Sequence, residues 1–365
     1  MDALATPSNW QRVRLGDICE ITTGSLDANE MVHYGKYRFY TCAKEYYFID
    51  KYAFDTEAIL ISGNGAYVGY VHYYKGKFNA YQRTYVLDNF SEHIIFVKYF
   101  LTMFLQSHIQ TNRNEGNTPY IVMATLKDFE IPLPPLNEQI AIANILSDVD
   151  HYLYSLDALI LKKESVKKAL SFELLSQRKR LKGFNQAWQR VRLGDIAEIK
   201  RGVRITKNEL DVFGKYPVVS GGVGFLGYTN NFNRYENTIT IAQYGTAGYV
   251  NFQKNKFWAN DVCFCVYPNK DVIKNIFLYY FLKVNQNYLY EISNRNATPY
   301  SISKDKILDF EIPLPPLNEQ IAIANILSDV DNEIISLKNK KRQFENIKKA
   351  LNHDLMSAKI RVLKK

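Results

Sequence analysis

Hydrophobic residues recur at heptad spacing in two long segments of the chain, and each segment follows a proline-containing stretch. In the first, Pro134 and Pro135 favour an extended backbone, and Asn137 can cap a helix that starts at Glu138. Lysines interrupt both series. The pattern predicts two helices of about 40 residues, each roughly 60 Å long. Their apolar positions are Leu146, Val149, Leu153, Leu156 and Ile160 in the first copy, and Leu327, Val330, Ile334, Leu337 and Phe344 in the second.

An apolar stripe this narrow stays exposed to water if its helix is alone. Because both helices carry matching stripes, the economical arrangement is a coiled coil formed by the two segments of one chain. The alternative is that each helix packs only on its own domain. We expect antiparallel pairing, which would relate the two halves of the chain by an approximate two-fold axis.

The duplication extends beyond the helices. Residues 10–21 recur at 188–199 with one difference, Cys19 against Ala197, and residues 128–150 recur at 309–331 without change. Between these blocks the halves diverge, although the tripeptides GKY, GYV and TPY follow in the same order in both. We therefore predict one shared fold that is used twice.

The divergent regions are rich in aromatic and β-branched residues and in glycine. Alternating runs at 57–74 and 237–252 predict strands joined by glycine turns, and helices are predicted near 96–109 and 273–286. The predicted fold class is mixed α and β (α+β). Its organisation comprises two similar domains, 1–135 and 182–316, separated by the long helices of 136–181 and 317–365.

Composition narrows the functional classes. Hydrophobic residues make up 47% and charged residues 23% of the chain, which is typical of soluble globular proteins. The chain has no apolar run of the roughly 18 residues that cross a membrane, and its start lacks the layout of a secretory signal, so we expect a cytoplasmic location and no membrane partner. The formal net charge of +9 favours a polyanionic partner.

Sequence motifs of catalysis are missing. The chain contains no GxxxxGK[ST] loop for nucleotide phosphates and no Asp/Asn-Pro-Pro-aromatic motif of adenine methyltransferases. The six histidines lack metal-ligand spacing. Cys263 and Cys265 fall within one predicted strand, which indicates buried thiols and no metal site. We therefore predict no catalytic residue, no metal and no cofactor in this chain.

Two blocks carry a family resemblance. The sequence IPLPPLNEQIAIANILSDVD at 131–150 and 312–331, together with WQRVRLGDI at 10–18 and 188–196, resembles the specificity subunits of type I restriction-modification systems. The resemblance implies two target recognition domains, each of which reads one half of a bipartite, asymmetric double-stranded DNA site. It also implies that the helices set the spacing between the half-sites.

The resemblance further implies partners that carry the chemistry. These would be two methyltransferase subunits, which bind S-adenosylmethionine, and two restriction subunits, which use ATP and Mg²⁺. The identical framework segments independently indicate two equivalent docking places. The divergent domains indicate two different DNA sequences.

Candidate DNA contacts are polar and basic residues in glycine- and asparagine-containing loops, since Arg, Lys, Asn and Gln read base edges. The pairs Arg113 with Asn114 and Arg295 with Asn294 occupy equivalent places before TPY, and we expect the strongest contacts there. The candidates in the first domain are Lys44, Tyr46, Asn64, Tyr67, Gln82, Arg83, Arg113, Asn114 and Asn117. Those in the second are Lys200, Arg201, Arg204, Asn230, Asn231, Gln243, Tyr244, Asn294, Arg295 and Asn296.

Two other functions are compatible with the pattern. One is a duplicated coiled-coil scaffold that binds only proteins, and the other is an orphan subunit without DNA specificity. The scaffold predicts no affinity for duplex DNA, whereas a protein that neutralises phosphates binds duplexes with a steep salt dependence.

Overall fold

The computed structural model describes residues 9–112, 119–296 and 298–362, and the chain divides into two compact units. Unit 1 comprises residues 1–156 and 340–365, and unit 2 comprises residues 157–339. Two helices of 40 residues each, Leu136–Leu175 and Leu317–Met356, contribute one part to each unit. The boundaries between the units therefore fall inside the long helices and not at their ends.

Unit 1 is built around a six-stranded sheet. Its strand order is β2-β7-β5-β6-β3-β4, in which β3 and β6 are parallel and the other neighbours antiparallel. A separate antiparallel pair joins β1 to β8. The strands are β1 (Gln11–Arg14), β2 (Glu20–Thr23), β3 (Tyr37–Tyr40), β4 (Tyr47–Ile49), β5 (Phe54–Ser62), β6 (Val71–Ala80), β7 (Thr84–Asp88) and β8 (Glu130–Leu133).

The helices of unit 1 close its core. They are α1 (Ile94–Asn112), α2 (Met123–Lys127), the first part of the long helix α3 (Leu136–Leu175 in full) and the last part of the long helix α8 (Leu317–Met356 in full). One face of α1 is fully buried, and the same core includes Leu146 of α3 and Leu355 near the C-terminus. The long helices are thus part of the domain core, which is where most helical stability originates.

Unit 2 repeats this plan with shorter strands. A four-stranded antiparallel sheet has the order β10-β16-β13-β14, a three-stranded sheet has the order β12-β11-β15, and β9 pairs with β17. The strands are β9 (Gln189–Arg192), β10 (Ala197–Arg201), β11 (Tyr216–Val219), β12 (Phe225–Thr229), β13 (Thr238–Ala242), β14 (Val250–Gln253), β15 (Trp258–Ala259), β16 (Cys263–Pro268) and β17 (Glu311–Leu314).

The helices of unit 2 are α4 (Leu193–Ile196), α5 (Asn275–Val284), α6 (Gln286–Glu291), α7 (Lys304–Leu308), the last part of α3 and the first part of α8. The predicted helices near 96–109 and 273–286 are confirmed as α1 and α5, and the predicted strand runs are confirmed as β5 with β6 and β13 with β14. Cys263 and Cys265 both lie in β16 as buried free thiols, as predicted.

The long helices pair antiparallel within each unit, which confirms that prediction. In unit 2, Lys163 contacts Glu333 at 2.8 Å and Lys167 contacts Asp331, so the residue number rises on α3 as it falls on α8. Lys163 and Lys167, which interrupt the apolar stripe of the first long helix, are therefore ion-pair partners of the second. Every predicted stripe position is buried or half-buried: Leu146, Val149, Leu153, Leu156, Ile160, Leu327, Val330, Ile334, Leu337 and Phe344.

The start of α3 differs from the prediction by two residues. The helix begins at Leu136, because the carbonyl of Pro135 already accepts hydrogen bonds from the N–H groups of Glu138 and Gln139. Asn137 consequently lies within the first turn. Its side-chain oxygen also accepts the Glu138 N–H at 2.9 Å, so it is a second acceptor for this donor of the first helical turn.

Candidate nucleic-acid interface

The same hydrogen-bonded network occurs in both units, at the place where the divergent region meets the two long helices. We call this place the base of the unit. In unit 1 the Tyr99 hydroxyl donates to Asp150 at 2.7 Å, and Lys348 forms an ion pair with the same carboxylate. In unit 2 Tyr280 donates to Asp331 at 2.8 Å, and Lys167 forms the matching ion pair. Each network joins the divergent region to both long helices.

A buried ion pair repeats at the start of each long helix. Arg361 donates two hydrogen bonds to Glu138 in unit 1, and Arg180 does the same to Glu319 in unit 2. The carboxylate side chains are only 3% and 1% exposed. Bidentate pairing of this kind holds two planar groups in a single orientation.

The glutamine that follows each glutamate positions the helix of the divergent region. The side-chain oxygen of Gln139 accepts the N–H of His93 at 3.1 Å, just before α1, and that of Gln320 accepts the N–H of Lys274 at 2.7 Å, just before α5. Both glutamines are almost completely buried. The blocks that are identical in the two halves, residues 128–150 and 309–331, are called the invariant blocks, and they thus hold the divergent regions in place.

Loops of unit 1 gather into one surface, which we call the unit 1 loop surface. The Gly63 N–H donates to the Arg83 carbonyl at 2.8 Å, and the Gly63 carbonyl accepts the Ile121 N–H at 3.0 Å. The Gly65 N–H donates to the Pro119 carbonyl at 2.9 Å. A fourth loop joins through the Cys42 thiol, which donates to the Arg83 carbonyl at 3.3 Å.

This surface carries five of the described candidates of the first domain. Lys44 lies over the exposed Tyr67 ring at 5.2 Å from its centroid, and the side chains of Gln82 and Arg83 are exposed. Asn64 is half-buried and forms a β-bridge with Tyr120. The candidates Arg113, Asn114 and Asn117 lie outside the described residues.

The unit 2 loop surface uses the same backbone hydrogen bonds. The Gln243 N–H donates to the Val262 carbonyl and the Gln243 carbonyl accepts the Ile302 N–H, both at 2.9 Å. The Gly245 N–H donates to the Tyr300 carbonyl at 3.0 Å. These bonds match those of Gly63 and Gly65 one for one. Loop 220–224 joins through the Gly221 carbonyl, which accepts the Thr246 N–H at 2.9 Å.

Several candidates of the second domain meet on this surface. Asn294 pairs with Ser301, as does Tyr244. The Arg295 guanidinium lies about equally far from the Tyr290 and Tyr300 rings, at 5.1 and 5.2 Å, and its Nε donates to the Tyr290 carbonyl. Arg295 is exposed and held in position, which suits a group that reads an acceptor. Asn296 is exposed beside it, and its N–H donates to the Asn294 side chain.

The Gln243 side chain is partly buried, and its amide oxygen has no hydrogen-bond partner within the described part of the chain. A buried amide oxygen of this kind has the capacity to accept a hydrogen bond from a ligand or water. The Arg201 guanidinium donates to the Asp261 carbonyl, and the carbonyl of the next residue, Val262, accepts the Gln243 N–H. Lys200 precedes it on β10, at 3.0 Å from Glu198.

Two predicted candidates lie apart from the unit 2 loop surface. Strand β12 ends at Thr229, which pairs with Tyr216, and Asn230 and Asn231 follow directly. Loop 220–224 connects β11 to β12 at the opposite end of this hairpin. The Asn230 amide also already donates to Asp211 at 2.6 Å. Arg204 is exposed next to Ile205, whose N–H donates to the Asn260 side chain.

Arg38 is a cation held among aromatic rings that the sequence patterns did not mark as a candidate. Its guanidinium lies 4.3 and 4.5 Å from the ring centroids of Tyr46 and Tyr74, and it donates to the Tyr40 hydroxyl. Arg38 lies in a regular strand, and no loop motif marks it. The alternation of aromatic residues with Arg38 in β3 was the available signal.

His72 borders the unit 1 loop surface, with Nε2 2.9 Å from the Ala43 carbonyl. Burial lowers the pKa of His72 from its ordinary value. Within residues 9–112, 119–296 and 298–362, no three His, Cys, Asp or Glu side chains form a group suited to a metal ion. In the same residues, no helix has the length and apolarity needed to cross a membrane.

Comparison with known families identifies the duplicated architecture. The family described as "Type I restriction modification DNA specificity domain" matches the chain twice, at residues 7–163 and 185–346. The chain belongs to this family. The two matches together cover most of the chain. Each includes one divergent region and the first part of the long helix that follows it.

Individual specificity subunits align with this chain over different lengths. The EcoDI specificity subunit of Escherichia coli is 39% identical over 173 residues, which cover 47% of this chain and 35% of that protein. The putative MjaX specificity subunit of Methanocaldococcus jannaschii is 30% identical over 313 residues, 79% of this chain and 70% of that protein. This chain thus aligns with about a third of the first relative and over two thirds of the second.

A solved structure has the same fold. The crystal structure of the S subunit of a type I restriction-modification system from M. genitalium superposes with a TM-score of 0.74, at 22% sequence identity. The alignment covers 95% of this chain and 96% of that one. The two relatives from E. coli and M. jannaschii are named specificity subunits, and the family description assigns DNA specificity to the matched domain.

Proposed function

We propose that this chain is the sequence-specific DNA-binding subunit of a type I restriction-modification complex, and that each loop surface reads one half of a bipartite, asymmetric site. One observation carries the proposal: equivalent backbone hydrogen bonds present different side chains in the two units. Gly63 corresponds to Gln243, Asn64 to Tyr244, and Arg83 to Val262. Two domains that share a backbone scaffold but carry different base-reading side chains select different half-sites.

The repeated framework supports the proposed partners. Residues 128–150 and 309–331 are identical, and Asp150 and Asp331 within them accept the same tyrosine hydrogen bond, so a partner that binds one copy would also bind the other. We propose that two methyltransferase subunits dock on these copies and supply S-adenosylmethionine chemistry. Two restriction subunits would supply the ATP- and Mg²⁺-dependent reaction. The long helices would set the spacing between the half-sites.

Methylome sequencing tests this function directly. Cells that carry this gene and its neighbouring methyltransferase gene are compared with cells that have an in-frame deletion of this gene. The proposal predicts that the deletion abolishes adenine methylation at one split motif, with two different short half-sites around a fixed gap. Unchanged methylation would contradict it and would leave the orphan subunit or the protein scaffold, which binding to duplex DNA over a salt series would separate.

A further inference from the structure

The two units also share a surface feature outside the invariant blocks. In unit 1 the rings of Tyr37 and Tyr52 lie 5.0 Å apart at 62°, and Lys77 lies 4.6 Å from the centroid of the Tyr52 ring. In unit 2 the rings of Tyr216 and Phe232 lie 5.1 Å apart at 56°. There, Lys256 lies 4.6 Å from the centroid of the Phe232 ring. We call each group a lysine-aromatic site.

More lysines accompany both sites. Lys36 precedes Tyr37, and Lys215 precedes Tyr216, as part of the tripeptide GKY. Lys75 and Lys254 likewise stand two residues before Lys77 and Lys256 in the repeated pattern Lys-x-Lys-Phe. In unit 2 the three lysines line one open groove together with Glu236, so positive charge dominates there.

Each lysine-aromatic site lies away from the loop surface of its own unit. Tyr216 starts β11, and the loop that joins the unit 2 loop surface follows the other end of this strand, after Val219. In unit 1, Tyr37 starts β3, and the loop that contains Cys42 follows Tyr40. At about 3.3 Å per residue, the separation along the strand is roughly 10 Å, which equals about three base pairs of duplex.

The contrast between the two ends of the strand indicates what the site binds. Side chains on the loop surfaces change between the units, whereas the lysines and the paired rings are retained within otherwise divergent sequence. A contact that is useful in both units cannot depend on the half-site that each unit reads. Phosphates are the part of DNA that is the same for every sequence.

The residue types favour phosphate over a protein surface. Lysine is depleted in protein-protein interfaces, where arginine is enriched, but it is a common phosphate ligand. The ring beneath Lys77 or Lys256 restrains a flexible side chain through a cation-π contact. We infer that the lysine-aromatic sites bind DNA backbone phosphates beside the bases read by the loop surfaces, independently of sequence. This inference rests on the proposed binding of duplex DNA.

The unit 2 site is expected to contribute more than the unit 1 site. In unit 1, Lys75 forms an ion pair with Glu57 at 2.9 Å, and Lys77 lies 3.9 Å from Asp55. These carboxylates offset part of the positive charge. The replacement of Lys215, Lys254 and Lys256 should therefore weaken DNA binding more than that of Lys36, Lys75 and Lys77.

The test uses the full chain with Lys215→Gln, Lys254→Gln and Lys256→Gln combined. Its binding is measured from low to physiological salt on two probes: a duplex with the methylated motif and a random duplex of equal length. We expect about tenfold weaker binding to both probes, and a slope of log K against log salt that is smaller by about 2 to 3, because each phosphate contact contributes about 0.9. Lys168→Gln, Lys270→Gln and Lys304→Gln combined form the matched control, since these exposed lysines of unit 2 lie outside the groove.

Three results would overturn the inference. The first is an affinity and slope equal to those of the control variant. The second is unchanged duplex binding with weaker binding to the purified methyltransferase subunit, which would assign the site to a protein partner. The third is a wild-type protein that binds neither duplex. A wild-type protein that binds both duplexes equally would instead contradict the proposed sequence specificity, while the lysine variant would still decide the phosphate contact.

Discussion

The base of each unit and its loop surface show opposite behaviour when unit 1 is compared with unit 2. At the base, side chains and partners are both retained, as in Tyr99 with Asp150 and Tyr280 with Asp331. On the loop surfaces the backbone hydrogen bonds are retained, and the side chains change. Loops that are held through their main chain can vary in side chain without loss of the fold. The comparison therefore separates what builds the fold from what would select the target in the proposed function.

The buried carboxylates at the base differ in their partners. The Trp188 indole N–H donates to Glu319 at 2.9 Å, so this buried carboxylate has two partners, Arg180 and Trp188. The equivalent Trp10 is buried, but within the described residues its indole N–H has no hydrogen-bond partner. Glu138 consequently depends on Arg361 more than Glu319 depends on Arg180.

The largest predicted effect tests this difference between Glu138 and Glu319. Arg361→Met should reduce the free energy of unfolding of unit 1 by about 3 kcal/mol, because it leaves a buried carboxylate without its cation. Arg180→Met should reduce that of unit 2 by roughly 2 kcal/mol, because the Trp188 indole still donates to Glu319. Urea denaturation followed by hydrogen exchange of each unit measures both losses.

An exposed arginine of unit 2 provides the control. Arg190→Met removes a surface arginine of unit 2 whose side chain is 82% exposed, and we expect a change within about 0.5 kcal/mol. Equal losses for Arg361→Met and Arg180→Met would show that the Trp188 hydrogen bond does not compensate for the missing cation.

A second prediction concerns the loop surfaces. If Arg295 makes a bidentate base contact, Arg295→Ala should weaken binding to the specific duplex by about 1 to 3 kcal/mol and relax selectivity at one half-site only. Arg83→Ala should affect the other half-site. Competition binding with duplexes altered in one half-site at a time measures both.

The lysine-aromatic variant is the matched comparison for these arginines. It should weaken binding to all duplexes by one factor, whereas an arginine that reads a base changes the ratio between duplexes. If Arg295→Ala lowered affinity for specific and random duplexes equally, Arg295 would be a phosphate contact and not a base contact.

The sequence predicted the parts of the fold that rest on local patterns. The alternating runs identified β5 with β6 and β13 with β14, and the heptad series identified α3 and α8. It did not predict why Lys163 and Lys167 interrupt the apolar stripe, because their partners Glu333 and Asp331 are more than 160 residues away in the chain. Periodicity reports which face of a helix is apolar, but not which charge lies opposite.

The candidate site was predictable to a similar degree. Glycine and asparagine signals led to the loops that contain Asn64 and Tyr244, which the structure places in equivalent backbone positions. The same signals also selected Asn230, which lies at the other end of its hairpin. Turn propensity marks both ends of a strand equally, and only strand pairing shows which end meets the other loops.

The smallest predicted effect concerns acid stability, and it sharpens the comparison at the base of unit 1. Burial alone would raise the pKa of Asp150, but the hydrogen bonds from Lys348 and Tyr99 lower it below its ordinary value. A carboxylate with a lowered pKa in the folded state stabilises the fold fully above its unfolded pKa of about 3.9, and this contribution is lost as the pH falls through the folded value. Below about pH 4, unit 1 should therefore lose stability that Asp150→Asn does not lose.

The expected size of this contribution is roughly 1 kcal/mol, since the ion pair is only partly buried. Asp150→Asn should be less stable than wild type by that amount at pH 7, and the difference should shrink as the pH approaches 2. Urea denaturation at several pH values, with the exposed Asp148→Asn as control on the same helix, measures the trend. A difference that stayed constant from pH 7 to 2 would mean that Asp150 stabilises unit 1 by packing or a neutral hydrogen bond. The charge of Lys348 would then contribute nothing to holding α8 against α3 in this unit.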